Sequence, residues 1–102
     1  MISLPKPITF LWDSGNDKKN LVKHGVTDEE CEQVFFDPLR YIINDRLHSD
    51  DKEDRYIILG HTNRQKILFI AFTIRSNKIR IISARGVNKK ERKWYEEKAN
   101  TA

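Results

Sequence analysis

The sequence predicts an α+β fold, a single domain over residues 1–102 built on an antiparallel sheet meander, with two helices before the sheet and one after it. Three observations predict this. Residues 55–61, 67–75 and 79–85 are apolar, β-prone runs separated by short polar turns, which is how antiparallel neighbours are joined. Ahead of them lie two capped helical stretches. Behind them lies one more, beginning at Asn88.

Residues 1–7 carry two prolines and are expected to be loose. Ile8 to Trp12 reads as a first strand, and Asp13, Ser14, Gly15 and Asn16 as a turn. A short helix follows from Asp17 to His24, ended by Gly25, which tolerates the left-handed conformation. Thr27 and Glu30 have capping-box spacing, and Val26 and Cys31 sit at the staple positions around it. Cys31, Val34 and Phe35 form the apolar stripe of this second helix, and Pro38 stops it. Tyr41 to Ile43 reads as a short strand and Asn44 to Asp54 as an exposed polar loop. Strands at Arg55–His61, Ile67–Arg75 and Ile79–Arg85 follow, with turns at residues 63–66 and 76–78. The last helix has Glu91 as cap partner to Asn88 and runs to about Lys98.

Leu68, Ile70, Phe72 and Ile74 share one face of their strand. The alternate residues become polar toward Arg75. Strict alternation puts Arg80 and Arg85 on opposite faces, so both reach one phosphate only if a bulge intervenes near Ser83.

A hydrophobic fraction of 38% supports a modest core, with little room for an elaborate cofactor pocket, and no cofactor is expected. The lone cysteine, Cys31, excludes an internal disulfide. No apolar run approaches the ~20 residues of a membrane span. The first residues lack the apolar core of a signal peptide, so the expected location is cytoplasmic. The net charge of +4 conceals an asymmetry. Residues 26–54 hold ten acids and three bases, net −7, whereas residues 64–93 hold ten bases and one acid, net +9. A basic half suits a polyanion, of which nucleic acid is the common one.

Trp12-Asp13, then Lys19-Asn20, then Lys23-His24-Gly25-Val26 resemble the N-terminal signature of the BrnT toxins. Glu53-Asp54-Arg55 with Gly60, the strand from Ile79 to Arg85, and Glu91-Arg92 with Tyr95 are similar to later segments of that family, in the same order. The set spans Phe10 to Tyr95. The resemblance implies a RelE-like fold and ribonuclease activity. It also implies a BrnA-type antitoxin with a ribbon-helix-helix domain. Two toxins would be bridged by an antitoxin dimer, and that complex would bind operator DNA through the antitoxin and repress its own operon.

RNA can be cut without metal: the 2′-hydroxyl attacks the adjacent phosphorus and the 5′-oxygen leaves. The step needs a base, charge stabilisation at the phosphoryl oxygens and an acid. The acids here lack metal-binding spacing, so no metal site is expected and Lys, His, Arg and Tyr are the candidates. His24 is the natural proton-transfer candidate by residue type, with Lys23 beside it; both also suit a helix C-terminus, where cations complement the dipole. His48 and His61 have weaker claims, one in a polar loop and one at a strand end. Arg55, Arg80 and Arg85 can each grip a phosphate through two hydrogen bonds, or serve as ion-pair arginines, with Glu53 a partner for Arg55 or Arg80. Arg75 is a reserve RNA contact. Tyr95 can donate a proton or stack on a base, or pack the last helix with Trp94. Lys89, Lys90, Arg92 and Lys93 can follow the RNA backbone or form a solvated helix face. Trp12 reads as core and Asp13 as a cap. The alternative is a non-catalytic nucleic-acid-binding or adaptor protein, although no helix-turn-helix or aromatic strand motif is evident.

Overall fold

The computed structural model describes residues 3–101. Helices α1 (Lys19–His24) and α2 (Asp28–Val34) precede strands β1 (Tyr41–Asn44), β2 (Arg55–His61), β3 (Ile67–Arg75) and β4 (Lys78–Gly86), and α3 (Lys89–Thr101) follows. The strands form one antiparallel sheet in the order β1-β2-β3-β4, the expected α+β meander.

Local chemistry sets most boundaries. Lys18 is left-handed (φ 56°), which delays α1 to Lys19. Gly25, also left-handed at φ 68°, closes that helix as its N–H reaches Leu21 O and the Val26 N–H reaches Asn20 O. The Thr27–Glu30 capping box is complete, with Glu30 N donating to Thr27 Oγ1 at 3.1 Å and Thr27 N to Glu30 Oε1 at 2.9 Å. Asn88 and Glu91 exchange the same pair of bonds at the start of α3. Ser76 and Asn77 both have positive φ, so the β3–β4 hairpin turns on two residues.

The expected first strand is corrected. Only Phe10 bridges the sheet, parallel to Ile79 at the β4 edge. Farther along that edge, side-chain amides replace a strand: Asn16 Nδ2 donates to Ile81 O at 3.2 Å, and Ala84 N donates to Asn20 Oδ1 at 2.9 Å. Part of the segment expected to be loose is also held, because Leu4 is buried in the core; Met1 and Ile2 lie outside the described residues.

Ile58, Leu68, Ile70, Phe72, Ile79, Ile81 and Ala84 pack against Val26, Cys31, Val34 and Phe35 to form the main core on one sheet face. Each fully buried aliphatic or Phe side chain contributes roughly 1.5–3 kcal/mol. Phe35 sits edge-on to both Phe10 (5.3 Å) and Phe72 (5.0 Å). On the opposite face, α3 covers only one end, through Tyr95 against Leu59 and Ile67.

The β3–β4 register carries a bulge. Phe72 pairs with Ile81 and Ala71 with Ser83, so Ile82 is the extra residue. After it the side-chain alternation shifts by one. Ala84 therefore continues the core row of Ile79 and Ile81, and Arg85 joins the face of Arg80 and Ser83.

Gly60 marks where α2 crosses β2 most closely. A Cβ there would lie 2.8 Å from Val34 Cγ1, 3.0 Å from Val34 O and 3.2 Å from Asp37 Oδ2. Gly60→Ala should therefore destabilise the chain by about 1–3 kcal/mol in a denaturant titration. An unchanged midpoint would mean that this contact is not tight.

Candidate functional site

The sheet face opposite α1 and α2 gathers the basic residues. Directly paired residues share a face. One row across the sheet is Arg55, Thr73 and Arg80; the next is Ile57, Ala71 and Ser83; the next is Leu59, Phe69 and Arg85. α3 covers the Leu59 end of these rows and leaves the other end open. There a cavity of about 310 Å³ is lined by Asp45, His48, Arg55, Ile57, Phe69, Ala71, Ile82 and Ser83. Its floor is apolar and its rim polar and basic, a combination that suits the base and phosphate of one nucleotide.

Carboxylates orient the arginines outside the cavity. Arg85 forms a two-bond pair with Glu91 (2.8 and 2.9 Å) and lies 4.2 Å above the Phe69 ring. Arg80 donates to Asp13 Oδ2 at 2.7 Å and to Asn16 Oδ1 at 3.4 Å. Asp13 is thus both a turn residue, accepting from Gly15 N at 2.8 Å, and an arginine holder. Glu53, expected to pair with Arg55 or Arg80, instead holds Arg75 at 2.7 Å. Arg55 has no ion-pair partner among the described residues.

Two cavity residues carry little sequence signal. His48 Nδ1 lies 2.9 and 3.1 Å from the Asp45 carboxylate oxygens, within the loop expected to be merely exposed and polar. The only trace in the sequence is an Asp and a His three apart in a turn. Ser83 enters the cavity because of the bulge.

Other candidates lie elsewhere. Lys23 and His24 are exposed at the end of α1 and do not line the cavity. Lys89, Lys90, Arg92 and Lys93 are exposed on the first turns of α3, just beyond Arg85 in the chain, with Lys90 Nζ 5.2 Å from the Trp94 ring centroid. Tyr95 is buried: its hydroxyl donates to Asp37 Oδ2 at 2.6 Å and lies 2.7 Å from His61 Nδ1. The His61 and Leu39 amides also donate to Asp37. This cluster ties α3 to the α2–β1 connection and to β2. Trp12 packs beside the core and donates through Nε1 to Glu32 at 2.7 Å.

Among the described residues, no three His, Cys, Asp or Glu side chains gather as metal ligands, and no helix is long and apolar enough to cross a membrane. Burial pushes the Cys31 thiol up to about 12, so it is not a nucleophile at neutral pH.

The sequence pattern of a family described as "ribonuclease toxin, BrnT, of type II toxin-antitoxin system" matches residues 12–91. The chain belongs to the BrnT family. Its activity is thus that of a ribonuclease toxin, with RNA as substrate and an antitoxin as partner. The BrnT match contains the whole cavity, Arg80, Arg85 and the Lys23-His24 pair, and it ends at Glu91, before Tyr95. No curated protein matches the chain.

The acids that fasten α3 in this BrnT chain titrate abnormally. Burial acts to raise Asp37, but hydrogen bonds from Tyr95 and from the His61 and Leu39 amides outweigh it and hold the carboxyl below its usual range. The Arg85 hydrogen bonds lower Glu91, against the opposing effect of burial. A depressed folded-state pKa means stability that is fully present above the unfolded value, roughly 4, and lost as pH falls through the folded value. The melting temperature should drop as pH falls from about 5 to 2. Tyr95→Phe should cost about 1–3 kcal/mol at neutral pH, because Asp37 loses a buried donor. It should also shrink the acid-induced drop. Melting curves at pH 6 and pH 3 test this, and identical drops in both proteins would refute it.

Proposed function

We propose that the open sheet face is the ribonuclease site and that it cuts RNA without a metal ion. The observation that carries this reading is the placing of Arg55, Arg80 and Arg85 on one sheet face, completed for Arg85 by the bulge at Ile82, beside a cavity with an apolar floor that Arg55 lines. A single strand lays a base against Ile57, Phe69 and Ala71, and its phosphate meets the rim. Arg55, which is free of a carboxylate, takes the phosphoryl oxygens. Arg85, already aligned by Glu91 and Phe69, contributes a second guanidinium. Guanidinium groups match a phosphate with paired hydrogen bonds and stay protonated, so they stabilise the charge that grows on the phosphoryl oxygens as the 2′-oxygen attacks. Arg80, tied to Asp13 and Asn16, and Arg75, tied to Glu53, shape the field at the edge. Lys89, Lys90, Arg92 and Lys93 continue the basic track along the start of α3. Lys23 and His24 lie off this path and serve it only if the strand wraps toward α1. Tyr95 supports the site from beneath, because it fastens the helix that carries Glu91.

Cleavage of RNA in the cytoplasm stops translation and growth. The antitoxin in this reading is a BrnA-like ribbon-helix-helix protein that bridges two toxins and brings the complex to operator DNA. The acid-rich residues 26–54 place several carboxylates on α2, on the far side of the sheet from the arginines, so the basic face is the one left to attract a polyanion or acidic antitoxin side chains.

Purified protein should cleave single-stranded RNA in EDTA. Arg55→Ala and Arg85→Ala should lower the rate by about 100- to 1000-fold, as expected for losing a charge stabiliser, with unchanged circular dichroism. Wild-type cleavage that requires a divalent ion, or folded variants at full rate, would overturn the reading.

A further inference from the structure

Arginines hold a phosphate but cannot take a proton at neutral pH. A metal-free cut therefore needs a base near them, and the cavity contains one residue type that titrates there. We infer that His48, held by Asp45, takes the proton from the attacking 2′-hydroxyl; the inference rests on the sheet face being the ribonuclease site.

The two residues form a dyad. His48 Nδ1 faces the Asp45 carboxylate at 2.9 and 3.1 Å, with Asp45 largely covered (16% exposed) and His48 open (64%). The carboxylate fixes the proton on Nδ1 and leaves Nε2 with a free lone pair, the arrangement of a base with its orienting acid. The turn carrying the dyad is stitched to Arg55. Ser49 Oγ donates to Asp45 O at 2.8 Å and accepts from Arg55 N at 2.9 Å, and Asp45 N donates to Arg55 O at 2.8 Å. The turn that carries the base is thus tied to the backbone of the unpaired arginine, and both residues line the same cavity. The other histidines are differently placed: His61 is occupied by Asp37 and Tyr95, and His24 lies outside the cavity.

Nε2 takes the 2′-hydroxyl proton as the 2′-oxygen bonds to phosphorus. The bond from phosphorus to the 5′-oxygen breaks, and that oxygen takes a proton from water. The products are a 2′,3′-cyclic phosphate and a 5′-hydroxyl. The imidazolium then returns its proton to solvent. Asp45 is a positioning residue. The charged groups that face His48 are Asp45 on its own turn and Arg55 from β2; β4 presents the uncharged Ile82 and Ser83.

The test is messenger RNA cleavage in a cell-free translation extract, which supplies free RNA and ribosomes together, followed by end-group analysis. His48→Ala should lose at least about 100-fold in rate, the usual contribution of a general base. It should still bind a 2′-O-methyl oligoribonucleotide as tightly as wild type. Imidazole should restore part of the activity of His48→Gly, which a merely structural role would not allow. Asp45→Asn should lower kcat while leaving KM unchanged, since the imidazole loses the acceptor that orients it and the substrate contacts remain. If Arg85→Ala abolishes cleavage while His48→Ala cleaves at the wild-type rate, the dyad assignment fails and the sheet-face site survives. If both variants cleave normally, or wild type does not cleave, both fail. Ends other than cyclic phosphate and 5′-hydroxyl also overturn the assignment.

Discussion

One residue of register decides what this sheet can do. Ile82 stands as the extra residue of β4. If β4 continued past Ile81 in regular register, Arg85 would turn into the core opposite Leu68, and Ala84 would face the open side. Burying an unpaired guanidinium costs several kcal/mol, and that penalty drives the chain to place the bulge here. The bulge lets a single strand give Ile79, Ile81 and Ala84 to the core while giving Arg80, Ser83 and Arg85 to the solvent face. The packing requirement and the basic surface thus have one structural cause.

The arginines so placed are held by carboxylates of modest individual value, because exposed ion pairs contribute little to stability. Their effect is geometric. Glu91 is also the capping partner of α3, so the start of that helix and the direction of Arg85 are set together. α3 is in turn anchored by Tyr95 to a fully buried Asp37, whose remaining bonds come from the backbone of β2 and of the loop after α2. A chain of hydrogen bonds therefore runs from the turn after α2, through α3, to Arg85 on the open sheet face. Gly60 permits this by letting α2 and Asp37 approach β2 closely.

Much of the fold is legible in the sequence, because the signals are local. The Thr27–Glu30 and Asn88–Glu91 boxes, Gly25 as a cap and the period-two runs at 55–61 and 67–75 each state their own structure. The segment from Ile8 to Trp12 carries the same β signal, yet makes one bridge, because pairing depends on whether the β4 edge is free and Asn16 and Asn20 already occupy it. The bulge left a faint trace, in that the spacing of the core residues of β4 changes from two at Ile79 and Ile81 to three at Ala84. The arginines are legible as residue types but not as a group, since grouping them requires the register. Asp45 and His48 were hidden because nothing local shows that their loop folds back over Arg55 through Ser49.

The central claim is that RNA lies on the sheet face opposite α1 and α2. Backbone amide shifts of the labelled protein, titrated with a 2′-O-methyl oligoribonucleotide that cannot be cut, test it most directly. The account predicts shifts concentrated at His48, Arg55, Ile57, Phe69, Ala71, Ser83 and Arg85, with little change along α2. Shifts centred on α1 around Lys23 and His24, with the β3 and β4 amides unmoved, would contradict it.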